Sequence, residues 1–373
     1  MILNRSRFLA VARKEVIQLR RDTRSLLLAF LLPAILLILF GCAITWDVKE
    51  IQTAVLDQDQ SARSRGLLEA FRASGYFALK APLERSSDIT GLLNRSQVQL
   101  ALVIPPDFAA ALDGGRPAGL QAIVDGSDAN TATIILGYTQ AIVQSYSTRI
   151  RYQGVRLRPP IQAQSRVWYN EELRSRNMIV PGLVAVIMMI IAAMLTSLTI
   201  AREWERGTME QLAATPVTRA EVVLGKLLPY LVIGLIDVVA ASLLGVFLFG
   251  VPFRGSPLLL MMLSLLFLVG ALGLGMFVSA VARSQLLATQ LAMILTFLPA
   301  FLLSGFMFSI ATMPKVLQAI SLIVPARYFL VVTRGLFLKG VGVRLLVVPT
   351  LAMIAYAGAG LLLAVRVFKK ELR

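Results

Sequence analysis

The chain has 373 residues, 57% hydrophobic and 16% charged, with a mean hydropathy of +0.74 and a formal net charge of +16. Soluble domains run nearer ~45–50% apolar and ~25% charged, so an ordinary water-soluble globule is excluded. Histidine is absent and Cys42 is the sole cysteine, which removes imidazole bases, Ser-His and Cys-His pairs, intrachain disulfides, thiolate clusters and nearly all zinc sites. The basic excess is not interleaved with aromatics and points to anionic lipid, not nucleic acid.

Residues 1–24 carry seven Lys/Arg. Phe8, Val11, Ala12, Glu15, Val16 and Leu19 recur at near-helical spacing among Arg13, Lys14, Arg20 and Arg21. This predicts an amphipathic helix lying in the inner headgroup layer, with an unstructured basic tail as the alternative. The uncharged run 25–46 is long enough to cross ~30 Å of hydrocarbon at ~1.5 Å per residue. Leu39-Phe40-Gly41-Cys42 resembles a lipoprotein cleavage box, but the basic region ahead of it is long and Phe40 is bulky.

Residues 47–177 alternate strand-like pieces (51–56, 76–79, 98–104, 120–124) with helix-like ones (61–74, 88–94, 107–112, 130–150), which predicts a small α/β domain. Asp57/Asp59 and Asp125/Asp128 stand at strand ends, where capping is the plain role and cation binding or acid–base work the alternative. The arginines between Arg149 and Arg158 read as a solvated connector or a docking face. Trp168 and Tyr169 have apolar rings with polar edges, which suits membrane-interface anchors.

Five more apolar runs follow: 178–201, 227–251 with the single charge Asp237, 257–282, 284–310 and 345–365. Six spans put both termini on one side. An N-in, C-in arrangement gathers sixteen Lys/Arg on the inner segments against six on the short outer loops, as the positive-inside rule requires. The long 47–177 block translocates largely regardless of charge, and residues 366–373 form the inner tail. Asp237, with Thr296 and Ser304 in the fifth span, marks a candidate substrate path, because intramembrane polar groups are costly. A neutral or bonded structural carboxyl is the alternative for Asp237.

The inner loop 202–226 divides on physical grounds. Gly207 supplies a helix stop. Thr208 with Gln211 reads as a capping box that opens a short helix near 209–214, which Pro216 closes. Thr218 with Glu221 is a second box that opens the next span. Such a transverse helix, bordered by Glu203, Glu205 and Arg206, suits docking to a cytosolic partner, with a solvated connecting loop as the alternative.

Glu205-Arg206-Gly207-Thr208-Met209-Glu210-Gln211-Leu212, Thr215-Pro216-Val217 and Gly225-Lys226 resemble the inner-loop signature of ABC-2 type permeases, the membrane subunits of bacterial ABC exporters, in their multidrug-efflux branch. Trp168-Tyr169-Asn170 with Pro181-Gly182, Ser304-Gly305-Phe306 with Met313-Pro314, and Arg334-Gly335 with Lys339-Gly340 resemble further segments of that family. The resemblance covers essentially the whole chain. Trp204 departs from it, standing where a smaller or polar residue is usual.

The resemblance implies an α-helical polytopic inner-membrane protein with six transmembrane helices, an N-terminal amphipathic helix and a periplasmic α/β domain between the first two spans. It also implies a re-entrant outer segment at 311–343, which Pro325, Arg327 and Arg334 keep from spanning. Two permease copies, or a permease and a paralogue, would each bind one ABC ATPase subunit. The contact would run through Glu203, Glu205, Arg206, Gly207, Thr208, Glu210, Leu212 and Pro216. A dimer would place the second and fifth spans at the interface, where the small and polar positions Thr289, Gln290, Thr296, Ser304 and Gly305 seek partners. A periplasmic adaptor protein is a further candidate partner. ATP and Mg would sit on the ATPase, since Gly-x4-Gly-Lys-Ser/Thr does not occur here. Export of lipophilic or amphipathic compounds is the implied function. The alternatives are an ion-coupled secondary transporter, for which Asp237 alone is a thin set of intramembrane charges, and a non-transporting sensor or scaffold.

Overall fold

The computed structural model describes residues 4–44, 50–151, 168–170 and 174–368. The arginine-rich connector beyond Arg151 and the tail from 369 lie outside the described residues. The chain forms two compact units, Met1–Thr45 with Arg166–Arg373, and Trp46–Ser165.

The first unit begins with α1 (Arg5–Arg21) and α2 (Thr23–Ala43). The Asn4 side chain caps α1 by accepting from the Ser6 N–H at 3.1 Å. Val11, Ala12, Glu15 and Leu19 are buried, whereas Val16 is 41% exposed. The expected surface helix is therefore docked against protein along one face, on a helix described below. α2 has 21 residues, about 30 Å of helix.

The second unit is an α/β sandwich read almost directly from the polarity pattern. β1 (Ile51–Asp57), α3 (Ala62–Ala73), β2 (Phe77–Pro82), α4 (Ser87–Asn94), β3 (Leu100–Ile104), α5 (Phe108–Asp113), β4 (Gln121–Val124) and α6 (Ala129–Arg151) follow in turn. The sheet order is β2-β1-β3-β4, with β1 parallel to both neighbours and β4 antiparallel to β3. Ile51, Leu67, Phe71, Leu100, Leu102 and Ile135 build one core. Leu56, Ile89 and Val98 build another. Both faces of the sheet are thus covered, as parallel strands demand.

The first unit resumes with α7 (Ser175–Glu205), α8 (Met209–Ala214), α9 (Arg219–Phe247), α10 (Pro257–Ala282), α11 (Gln285–Leu302), α12 (Lys315–Ser321), α13 (Pro325–Arg334) and α14 (Val347–Val367). α1 packs on α9. By length and composition, α7, α9, α10, α11 and the helix Val343–Val367 can cross a membrane. The fifth apolar run is shorter as a helix than as a sequence: α11 ends at Leu302, and a turn at Gly305 follows. α13 continues as a π-helical turn, and the pair Lys315–Ser321 and Pro325–Lys339 is bent by 79°. α7 is the hub, with 89% of its most apolar stretch buried against α2, α9, α10, α11 and α13. Gly275 permits the α7–α10 approach, because a Cβ there would lie 2.2 Å from the Ala193 carbonyl oxygen. Small residues let membrane helices approach in this way.

Candidate functional site

The functional candidates gather where α7 hands over to α9. α7 stops because Gly207 takes a left-handed conformation, φ +68°, which glycine adopts without a Cβ clash. The first expected capping box is not formed: Thr208 is in the αR region with no side-chain cap bond. Its hydroxyl donates instead to the Glu203 carboxylate, an ionised acceptor that makes the stronger bond. The second box forms in full. Thr218 Oγ1 accepts from the Glu221 N–H at 3.3 Å, and Glu221 Oε2 accepts from the Thr218 N–H at 2.8 Å.

At the end of α7 lies a buried charge cluster. Lys226 Nζ donates to Glu15 Oε2 at 2.8 Å and to Glu203 Oε1 at 3.1 Å. Lys14 Nζ reaches the same Glu203 oxygen at 3.0 Å, and Tyr230 OH donates to Glu15 Oε1 at 3.1 Å. Glu15, Glu203 and Lys226 are 3%, 4% and 2% exposed, so each charge needs its partner. Arg202 pairs with Asp22 at 2.8 Å nearby. Arg7 Nη1 donates to the Pro216 carbonyl at 2.6 Å, and the Asn4 N–H donates to Glu221 Oε1 at 2.9 Å. α1 is thereby tied to α7, to α9 and to the link between α8 and α9.

The residues expected to meet a partner then separate. Glu203 points inward. Glu205 is exposed but accepts from the Gln285 N–H at 2.7 Å and from the Gln285 side chain, which fixes the start of α11. Leu212, within α8, is 8% exposed. Thr208 is half-buried, while Arg206, Gly207, Glu210 and Pro216 are exposed. The atypical Trp204 has its own partner, the Arg283 guanidinium 4.7 Å over its ring. Sequence reasoning missed Glu15, Tyr230, Gln285 and Arg283. Only Glu15 left a trace, as a carboxylate on the apolar repeat of residues 1–24.

The candidate path residues are not brought together by any hydrogen bond among the described residues. Asp237 on α9 is 3% exposed, and its Oδ2 has no hydrogen-bond partner among the described residues. Thr296 donates to the Ala292 carbonyl at 2.7 Å, and Ser304 Oγ accepts from the Phe306 N–H at 3.2 Å. Thr289 likewise donates to the Gln285 carbonyl at 2.7 Å. Thr289, Thr296 and Ser304 thus each make a hydrogen bond within their own segment. Since α7 is enclosed by its own chain, only α11 of the two expected interface spans shows an exposed face, with Leu287, Met293 and Ile294.

Trp168 is 65% exposed, and the Lys339 ammonium lies 5.8 Å from the Tyr169 ring centre. Asn170 Oδ1 accepts from the Arg174 N–H at 3.2 Å and from Asn177 Nδ2 at 2.8 Å, tying the entry of α7. The paired aspartates of the second unit do turn work. Asp57 accepts from the Asp59 and Gln60 N–H groups, and Asp125 from the Ser127 N–H, which holds its carboxyl below the usual range. No group of three metal-ligating side chains occurs among the described residues.

A bundle of apolar spans packed around one enclosed helix is the build of a multi-pass membrane protein. The profile of the ABC-2 family transporter protein matches residues 24–366. The chain is 39% identical over 358 residues to the probable multidrug ABC transporter permease YbhS of Escherichia coli strain K12, covering 95% of each chain. It is 30% identical over 333 residues to the probable multidrug ABC transporter permease YbhR of that strain, covering 89% of this chain and 90% of YbhR. The inner membrane transport permease YhhJ of the same strain is 28% identical over 329 residues, 86% of this chain and 85% of YhhJ. The chain belongs to the ABC-2 transporter family and is a multi-pass inner-membrane permease.

Proposed function

We propose that this chain is the membrane subunit of an ATP-driven exporter that moves lipophilic or amphipathic compounds out of the cytoplasm or the inner leaflet. A separate ABC ATPase subunit binds and hydrolyses ATP with Mg, and docks on the exposed side of α8. A second copy or a paralogous permease completes the membrane unit. Both termini and α8 face the cytoplasm, the second unit faces the periplasm, and the bent α12–α13 pair enters the outer leaflet without crossing.

The carrying observation is the anchoring of α8 at its two ends. Arg206 and Glu210 are exposed, while Thr208 at its start donates to Glu203 and the Pro216 carbonyl beyond its end accepts from Arg7. Glu203 belongs in turn to the Glu15–Lys226 cluster that ties α1, α7 and α9, so a push on α8 reaches the spans through these bonds. The multidrug relatives and the apolar spans favour a lipophilic cargo.

Charge reversal separates docking from folding. With the cognate ATPase coexpressed, Glu210→Arg leaves insertion and thermal stability near wild type and abolishes both export and substrate-stimulated ATP hydrolysis. A cross-interface charge pair lost in this way is worth ~2–5 kcal/mol. Glu205→Arg impairs stability as well, because it strips the Gln285 bonds that start α11. Wild-type export and stimulation in the Glu210→Arg complex would remove α8 as the docking element.

A further inference from the structure

At the far end of α7 from α8 stands a cation without a counter-ion among the described residues. Met178 and Glu205 lie 27 residues apart on one helix, about 40 Å at 1.5 Å per residue. Arg334, the last residue of α13, reaches the α7 head there. Its Nε donates to the Met178 carbonyl and its Nη1 to the Gly305 carbonyl, both at 3.3 Å. These are long for N–H···O bonds, which cluster near ~2.9–3.0 Å. Both acceptors are neutral. Nη2 is buried with no hydrogen-bond partner among the described residues. Elsewhere in the same unit Lys14, Arg202 and Lys226 each sit within 3.1 Å of a carboxylate oxygen; Arg334 forms no such pair among the described residues.

Among the described residues, the surroundings keep the guanidinium in place without neutralising it. A Cβ on Gly182 would lie 3.3 Å from Nη2 and 2.6 Å from the Phe306 ring, so the bare backbone of α7 leaves the room that the guanidinium and the ring occupy. Phe306 is 1% exposed. The turn that carries Gly305 also walls an apolar groove of about 510 Å³, lined by Leu298, Leu302, Leu303 and Phe308 among others. That volume falls within the ~300–1,000 Å³ of small-molecule sites.

We propose that Arg334 is a binding point for the anionic group, phosphate or carboxylate, of an amphipathic molecule whose chain occupies the neighbouring apolar groove. A planar guanidinium matches two oxygens of such a group at once. The two 3.3 Å bonds to carbonyls are weak enough to be exchanged for them. An uncompensated charge in a low-dielectric site is unfavourable until an anion arrives. The anion is supplied by the exported compound or by a lipid headgroup, and the chemistry of recognition is the same.

The full chain in phosphatidylcholine nanodiscs, without ATP, is titrated with dodecyl phosphate and with dodecanol, which share a tail and differ in charge. Wild type binds the phosphate about tenfold or more tightly over the alcohol, the size of a charge-assisted contact. Arg334→Gln loses that preference while dodecanol affinity holds, and Arg334→Lys, a point charge without the fork, retains part of it. Phosphatidylglycerol nanodiscs then identify the source. Loss of dodecyl phosphate binding there marks a lipid headgroup site, and undiminished binding marks a site for the free amphiphile. Equal affinity of wild type for the two probes overturns the proposal without reference to any variant, as does a preference that survives Arg334→Gln. No ATPase or export enters the measurement, so its failure leaves the transport reading standing.

Discussion

Lys226 shows how one side chain can hold three helices. It is 2% exposed and faces Glu15 and Glu203, both carboxylates nearly as buried. Removing one member of a buried cluster strands the others, at about 3–5 kcal/mol. Lys226→Met should therefore lower the thermal midpoint of the purified permease sharply. Adding Glu15→Gln should recover part of that loss, a non-additivity that a double-mutant cycle measures. Equal and additive losses would mean that the cluster is not coupled. Asp237 is the opposite case, a buried carboxyl with one oxygen unmatched among the described residues. Asp237→Asn is expected to assemble at normal levels and to change the pH dependence of export, read in vesicles with the ATPase present. Export identical to wild type across pH would take Asp237 off the path. The sequence displayed all of these charges, but it displayed them singly. Glu15, Lys226 and Glu203 are 211 and 23 residues apart in their pairs, and no local pattern links them.

Among the elements, α7 decides the most. Its apolar run announced a span, but nothing in the run told a lipid-facing helix from an enclosed one. Apolar residues all round suit both, since lipid tails and neighbouring side chains are equally oily. The distinction lies in its neighbours, above all in the α10 surface around Gly275. Gly275→Val pushes two methyl groups toward the Ala193 carbonyl and Thr196, which a Cβ alone would already approach to 2.2 and 2.3 Å. Overpacking of this kind costs ~1–3 kcal/mol or more. The expected result is loss of the monodisperse detergent peak. A Gly275→Val protein with a wild-type melting curve would show that α7 and α10 are held less closely than 8 Å-scale packing implies. α8 was legible at both ends, and only the bond made by its N-cap residue was misread. Thr208 had an N-cap spacing, yet an ionised acceptor at Glu203 outbid the backbone.

At the scale of the molecule, the Trp46–Ser165 unit carries its own cores on a sheet covered by helices on both faces. Expressed alone, residues 46–165 are expected to fold as a soluble α/β domain with a cooperative melt. Phe71→Ala in that fragment should cost about 3–5 kcal/mol, since Phe71 is wholly buried and is a large aromatic core member. A fragment that stays unfolded by circular dichroism would mean that the unit depends on the rest of the chain.

Alternation of polarity, long uncharged runs and breakers are local properties, and they determined what was local. The strands and helices of residues 51–150, the apolar spans, the short helix at 209–214 and the membrane class itself were all present in the order of residues. So was the family resemblance, carried by a contiguous motif. Tertiary structure alone decided which charges meet, which span lies at the centre, that α1 is clamped to the spans, that Glu205 starts α11 as well as standing beside α8, and that Arg334 meets no carboxylate among the described residues. Each of these depends on residues brought together from distant parts of the chain, where the energy belongs to the pair and neither member reveals it alone.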